Sequence, residues 1–368
     1  MLIADIEQIL ESWAPRWIAW ERDNVGLQVG DRTRTVRKVL VALDVTDKII
    51  SEAASLGATL IVSHHPLLFR PPSTISAADP VGRLVLSLAE KKIALYSAHT
   101  NLDFAKDGVS FTLARKLGLT NVTFLSPLRD LLAKIVVFVP EEARERVTTA
   151  MAQAGAGVIG DYSICSFRTP GTGTFKGSAT TKPVIGRPEK LEEVKEVRLE
   201  MIVPRARVRE TVEAMKRVHP YEEVAYDVYR VENPSASYGA GAIGILPRPV
   251  TLAAFLKKSK RILGAEGVRY SGNAGKKVQR IAVCGGSGGE LIQDAAKARA
   301  DVFLTADIRY HAYHGIDPRM ALVDAGHYET EHVVLDVVAR RLREESRRLR
   351  QRLTVEVTKS STNPVHSM

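Results

Sequence analysis

Two adjacent histidines, His64 and His65, follow the largely apolar stretch 58–62 and precede Pro66 in IVSHHPLLF (61–69). A strand that merely packs has no use for them, whereas imidazole serves as a metal ligand, an acid or a base. Neighbouring side chains of an extended chain point to opposite faces, and Pro66 keeps His65 out of the helical region. Diverging rings suit a site with two ions, each taking one histidine. The pair alone leaves open an alternative, with one ring hydrogen-bonded in a core and the other at the surface.

Further residues of the same chemistry stand beyond other strand-like runs. SAHTNLD (97–103) supplies His99 and Asp103. DAGHYETEHVV (324–334) supplies His327 and Glu331, whose i, i+4 spacing makes their heads converge on one side of a helical turn. TADIRYHAYHG (305–315) supplies Asp307 and His311 at the same spacing, readable as a general acid–base pair, as an outer shell that orients ligands, or as a local helix pair. His314 reads as structural. A cluster of three neutral histidines and two carboxylates holding two divalent ions keeps a surplus of about +2, which favours hydroxide and anionic substrates such as phosphates. Two ions ~3.5–4 Å apart lower the pKa of bound water and clamp the attacked centre. Mixed imidazole and carboxylate donors fit zinc, iron, manganese or nickel better than calcium.

These residues need elements to position them. KVLVALDVT (38–46), ATLIVSHH (58–65) and IALYSAHT (93–100) read as strands separated by helices over 47–57 and 79–92, a rhythm that predicts crossovers and a largely parallel sheet. Ligand sites in such sheets lie beyond the carboxyl ends of the strands, where both SHHP and SAHTNLD fall. An amphipathic helix is expected over 5–13. Residues 129–235 differ. Strand 131–140, a helix from 141, strand 162–169, strand 197–204, helix 205–218 and strand 223–231 make two strand–helix–strand units, the pattern of a ferredoxin-like module. The Gly/Thr/Lys-rich piece 171–187 reads as a mobile loop or ribbon. After 236 the α/β rhythm resumes, with strands around 243–246, 280–284, 301–305 and 320–326 and a final helix over 328–352. The expectation is one α/β body, 1–128 with 236–368, carrying an inserted α+β domain, 129–235.

Two glycine motifs match patterns on paper. GAGAIG (239–244) fits the dinucleotide fingerprint, but a polar stretch precedes it and a strand-like one follows, so it is rejected as a nucleotide loop. GGSGG (285–289) fits a nucleophile elbow around Ser287. Its would-be partners Asp324 and His327 are only three residues apart. A tight loop with amides facing an anion at a helix N-terminus is the better reading.

The 368 residues suffice for one large or two medium domains, and 45% hydrophobic with 26% charged residues is ordinary for a globular protein. Two cysteines far apart suggest neither a disulfide framework nor a zinc knuckle. No apolar run approaches the ~20 residues of a membrane span, and MLIADIEQILESW lacks the form of a secretory signal. The expectation is a soluble, cytoplasmic protein. Part of the net charge of +10 sits in RRLREESRRLRQR (340–352). A solvated helix face is the plainer reading, and nucleic-acid binding the weaker one.

Beyond these readings, the chain resembles the Nif-three-like dinuclear-metal hexameric proteins, labelled GTP cyclohydrolase 1 type 2 homolog. The resemblance rests on WERDNVGLQVG (20–30), SHHPLLF (63–69), SAHTNLD (97–103), GAGAIGIL (239–246), CGGSGGELI (284–292), TADIRYH (305–311) and DAGHYETE (324–331). The middle segment, with GTGTF (171–175) and HPYEEVAYDVY (219–229), looks like the CutA- or PII-like domain inserted in some members. The resemblance implies a dinuclear site with His64, His65, Asp103, His327 and Glu331 as ligands, Glu331 bridging, and His99 just outside them. It also implies a toroidal homohexamer with its sites facing an inner cavity. Ala306 stands where the family often has glycine. Two functions follow as expectations. One is a metal-dependent hydrolase of a nucleotide or small phosphate-bearing molecule, with Asp307 or His311 assisting proton transfer. The other is a non-catalytic, metal-binding regulatory or chaperone-like hexamer whose insert senses an effector or partner.

Overall fold

The computed structural model describes residues 1–70 and 72–366. Contacts divide the chain into two compact units, Met1–Pro127 with Ala236–Met368, and Leu128–Ser235. In the first unit, strands β1 (Gly26–Val29), β2 (Lys38–Ala42), β3 (Leu60–Ser63) and β4 (Ala94–Ser97) are followed by β5 (Thr120–Pro127). The second unit holds β6 (Leu132–Pro140), β7 (Phe167–Lys176), β8 (Leu191–Pro204) and β9 (Tyr226–Val231). The chain then returns to the first unit with β10 (Gly239–Thr251), β11 (Arg269–Tyr270), β12 (Lys277–Ser287), β13 (Val302–Ala306), β14 (Ala321–Asp324) and β15 (Thr354–Val357).

Two mixed sheets, rather than one, carry the first unit, in the orders β1-β4-β3-β2-β15 and β11-β14-β13-β12-β10-β5. In the first sheet β4, β3, β2 and the edge strand β15 run parallel and β1 pairs antiparallel at the other edge; in the second, β14, β13 and β12 run parallel, with antiparallel β11 on one side and β10 and β5 on the other. In the second sheet β5 and β10 pair antiparallel over most of their length, where only a short strand around 243–246 was expected.

The parallel strands are apolar on both faces because helices cover both. Val39, Val41, Leu60, Val62 and Tyr96 pack towards Ile3, Ile6 and Leu10 of helix Ile3–Trp13 and Val338 and Leu342 of helix Leu335–Arg348. Leu40, Ala42, Ile61 and Leu95 pack the other way, against Ile49, Ile50 and Ala53 of helix Asp47–Leu56 and Leu88 of helix Pro80–Glu90. Gly57 ends the first of these helices at φ 67°, where its missing Cβ removes the left-handed strain.

The expected final helix is interrupted. A turn of helix at His327–Glu331 and a tighter turn at His332–Val334 lead into Leu335–Arg348, and the alternating TVEV beyond it becomes β15 beside β2. Within the second unit the order β7-β8-β6-β9, antiparallel throughout, is that of a ferredoxin-like sheet. Its second strand starts at Phe167 rather than 162, because Ile159 and Tyr162 bridge one another in a turn first. The glycine-rich piece is a ribbon as far as Lys176, paired with the start of β8, and a loop after it. Among the described residues no helix is long and apolar enough to cross a membrane.

Candidate metal centre

The backbone of SHHP continues the parallel ladder just past β3. His64 N donates to Ala42 O at 3.1 Å and His65 N to Leu43 O at 2.9 Å. Ser63 Oγ donates to His65 O and meets Ser97 Oγ, each at 2.8 Å, so the two serines tie the carboxyl ends of β3 and β4 together. From the other sheet, the chain leaves β14 through Gly326 at φ 92° and starts the turn His327–Glu331. Both sheets thus deliver their strand ends to one place.

There His64, His65, Asp103, His327 and Glu331 come together. Glu331 Oε2 lies 2.9 Å from His65 Nε2 and 3.1 Å from His327 Nε2, and Glu331 Oε1 lies 3.8 Å from His64 Nε2. Asp103 Oδ1 is 3.6 Å from His64 Nε2. Two donor triads result, His65–His327–Glu331 and His64–Asp103–Glu331, which share Glu331, and His64, His65 and His99 make a third grouping. His64 and His65, with ring centroids 5.0 Å apart, fall one into each of the first two triads.

Each imidazole is turned by an acceptor on its far nitrogen. His64 Nδ1 faces Ala98 O at 2.8 Å, His65 Nδ1 faces Asp44 Oδ1 at 2.7 Å, and His327 Nδ1 faces Asp307 Oδ2 at 2.6 Å. His99 Nδ1 lies 3.0 Å from both oxygens of Asp23, whose Oδ2 also accepts from Thr100 N and Oγ1. An acceptor at Nδ1 fixes the proton there and leaves Nε2 as a lone pair for a cation. The fit to a metal shows in what is left over. His64 Nε2, Asp103 Oδ1 and Glu331 Oε2 are buried without an aligned hydrogen bond, a costly arrangement unless a cation meets them.

Without that cation, protons take its part. Burial opposes charge on His65, but the Asp44 and Glu331 carboxylates outweigh it and push the ring up to about 10. Glu331, helped by Asp307, pushes His327 up to about 9 against burial. Glu331 resists its own burial because His327 and His64 hold it well below the ordinary carboxylate range. Asp103 is raised to about 7, chiefly by burial.

A cavity of about 190 Å³ opens beside the cluster, its wall including Trp20, His99, Asp103, Cys284, His327 and Glu331. Burial pushes the Cys284 thiol up, which keeps it protonated rather than a thiolate ligand.

Two amides of the glycine loop are taken by side-chain hydroxyls. Gly286 N donates to Thr330 Oγ1 at 3.0 Å, and Gly285 N to Ser110 Oγ at 3.3 Å. Gly286 also serves sterically, since a Cβ there would stand 2.0 Å from Glu331 Oε1. A triad of Ser287 with His327 and Asp324 does not form, since His327 Nδ1 faces Asp307 and buried Asp324 accepts from Ile308 N and Gly326 N.

Asp307 and His311 do not form a helical pair. Asp307 takes φ 56°, which turns the chain out of a helix, and reaches His327, while His311 is exposed in the turn Tyr310–Tyr313 beside Tyr310 and His314. Sequence reasoning missed Asp44 and Asp23. Asp44 carried one signal, its place just past the end of β2 at the level of the histidine pair.

The whole chain also has likenesses among known proteins. A model of the family described as Duf34/NIF3 (NGG1p interacting factor 3) matches residues 1–364. The GTP cyclohydrolase 1 type 2 homolog of Bacillus subtilis (strain 168) is 40% identical over 363 residues, 98% of this chain and 96% of that one. Its namesake from Mycobacterium tuberculosis (strain ATCC 25618 / H37Rv) is 39% identical over 335 residues, 89% of this chain and 88% of the other. The crystal structure of a Bacillus cereus protein related to NIF3 matches with TM-score 0.82 at 39% identity, over 100% of this chain and 99% of that one. The chain belongs to the Duf34/NIF3 family.

Proposed function

We propose that the protein is a dinuclear-metal hydrolase acting on a nucleotide or another small phosphate-bearing molecule. The observation that carries this reading is the pair of donor triads sharing the buried Glu331, with three ligand atoms left without partners. One divalent ion belongs with His65, His327 and Glu331, the other with His64, Asp103 and Glu331. Zinc, iron, manganese and nickel all suit these donors. Such a pair of ions supplies an activated water and a clamp on the attacked group.

The chain's own residues supply the rest. Neutral imidazoles and two carboxylates leave the loaded cluster a surplus of about +2, which draws anions. Asp307 and Asp44 orient ligands rather than trade protons with substrate. His99, held by Asp23 at Nδ1 and lining the cavity, is placed to move a proton at Nε2. His311 takes no part. The name of the relatives, GTP cyclohydrolase 1 type 2 homolog, supports a nucleotide. A toroidal homohexamer in the cytoplasm belongs to the same reading, and a measured particle mass of one or two chains would remove the hexamer from it.

The test is metal analysis of the native protein, then a screen of nucleotides and phosphate esters with the metal found. A ratio of ~2 ions per chain, turnover lost on chelation and turnover restored by that ion are expected. Turnover in folded, metal-free protein would sink the proposal. Tight metal binding with no turnover would favour the regulatory reading instead, for which the insert offers a cavity of its own.

A further inference from the structure

Two motifs of the insert meet at one place. GTGTF lies on β7 and the YEE of HPYEE follows helix Val208–Val218, yet both line a single cavity of about 740 Å³. That volume lies within the roughly 300–1,000 Å³ of small-molecule sites.

Its floor is a strip of bare strand. Gly171 and Gly173 stand two apart on β7, on one face, opposite Glu196 and Val194 of β8. Glycine weakens a strand, and a pair on one face marks where something approaches the backbone closely. A Cβ on Gly171 would meet nothing within 4 Å, and one on Gly173 would stand 2.0 Å from Glu196 Oε2. The strip is therefore open at Gly171 and overlaid by a carboxylate at Gly173. Val184 and Ile185 form part of the opposite wall, on a loop held by Lys182 N donating to Glu222 Oε2 at 3.1 Å.

Tyr221 is set in place by His219, whose Nδ1 accepts from Tyr221 N at 3.1 Å while Nε2 donates to Phe138 O at 3.0 Å. The Tyr221 hydroxyl is buried beside the Glu196 carboxylate, and burial together with that hydrogen-bonding neighbour pushes the phenol up. Glu196 enters no ion pair among the described residues, whereas its neighbour Arg198 is taken by Glu200 at 2.9 Å. Carboxylates at 196, 222 and 223 face cations at 176 and 198, so the lining does not select an anion. A flat floor and a carboxylate that carries no ion pair, its phenol neighbour aside, select a flat ligand with N–H donors.

We propose that this cavity binds an uncharged or cationic planar heterocycle of nucleobase to nucleoside size, whose adjacent N–H donors pair with Glu196. This second site is independent of the metal centre and of its reaction.

The test is calorimetric titration of the full-length protein with guanosine, which carries two adjacent N–H donors on a planar edge, and with adenosine, which lacks that pair. Guanosine is expected to bind roughly tenfold or more tightly than adenosine, and Glu196→Gln to remove that preference. Gly171→Val places a β-branched residue suited to a strand into the open space. It should abolish binding while circular dichroism, melting temperature and metal content stay unchanged. The proposal is overturned if the wild type binds no guanosine at millimolar concentration. Guanosine binding that survives Gly171→Val, or a preference that survives Glu196→Gln, would overturn it equally.

Discussion

Glu331 Oε2 and His65 Nε2 are 2.9 Å apart, in a contact that has the distance of a hydrogen bond but not its alignment. Two donors so close, each aimed past the other, are arranged for a third body. When no cation is there, a proton on the imidazole is what stops the buried carboxylate from standing alone.

That substitution makes the stability of metal-free protein fall as pH rises. His65 and His327 are raised to about 10 and about 9, and Asp103 to about 7, so all three hold more protons folded than unfolded. The histidine contribution is whole below the ordinary imidazole value of ~6.5 and is lost as pH climbs through 9 to 10. Asp103 acts in the same direction, between its ordinary ~4 and about 7. Urea unfolding of chelator-treated protein should give midpoints that drop steadily from pH 7 to pH 10. The loaded protein, its rings already deprotonated by the metal, should not follow that slope. A rising midpoint for the metal-free protein would contradict these assignments.

Sharing one carboxylate between two triads predicts unequal losses. Glu331→Gln should strip both ions, whereas Asp103→Asn should spare the ion with His65 and His327 and bring the metal-to-chain ratio towards one. Metal analysis after gel filtration reads both, and circular dichroism should report an unchanged fold. Equal metal content in the two variants would mean that Glu331 does not bridge.

Orientation of His65 comes from Asp44, which in turn accepts from Thr362 Oγ1 in the C-terminal segment. Asp44→Asn should weaken metal affinity about 10–100-fold, as removal of such partners does. Thr362→Val should weaken it less and Thr362→Ser not at all, because serine keeps the hydroxyl. Competition with a chromophoric chelator measures all three, and wild-type affinity in Asp44→Asn would show that the dyad is idle.

The five central ligand candidates were legible because their types and spacing are chemical. Strand ends offer His64, His65, His99 and Asp103, and a helical repeat joins His327 to Glu331, while the choice of five of these as ligands rests on the resemblance to the family. Asp23 and Asp44 were not, since a single aspartate after a strand or in a loop usually caps or solvates, and only the fold brings it against a ring nitrogen. The split into two sheets escaped for a similar reason. β5 pairs with β10 across the whole insert, and local periodicity carries no trace of a partner so distant. Asp307 and His311 failed as a helical pair because i, i+4 spacing matters only where the backbone is helical, and φ 56° at Asp307 ends that.

Gly286 carries the sharpest prediction about the glycine loop. It sits at φ 63°, and a Cβ there would stand 2.0 Å from Glu331 Oε1 and 3.2 Å from His327 Nε2. Gly286→Ala therefore meets both left-handed strain, about 1–2 kcal/mol, and a carboxylate that cannot retreat without leaving the two donor triads. Loss of metal and a lowered melting temperature are expected together. Gly289→Ala is the control, as its Cβ would meet nothing within 4 Å. If Gly286→Ala keeps its full metal content, the loop is not what holds Glu331 over the centre. If Gly289→Ala loses metal as well, the effect belongs to the loop's flexibility and not to the contact with Glu331.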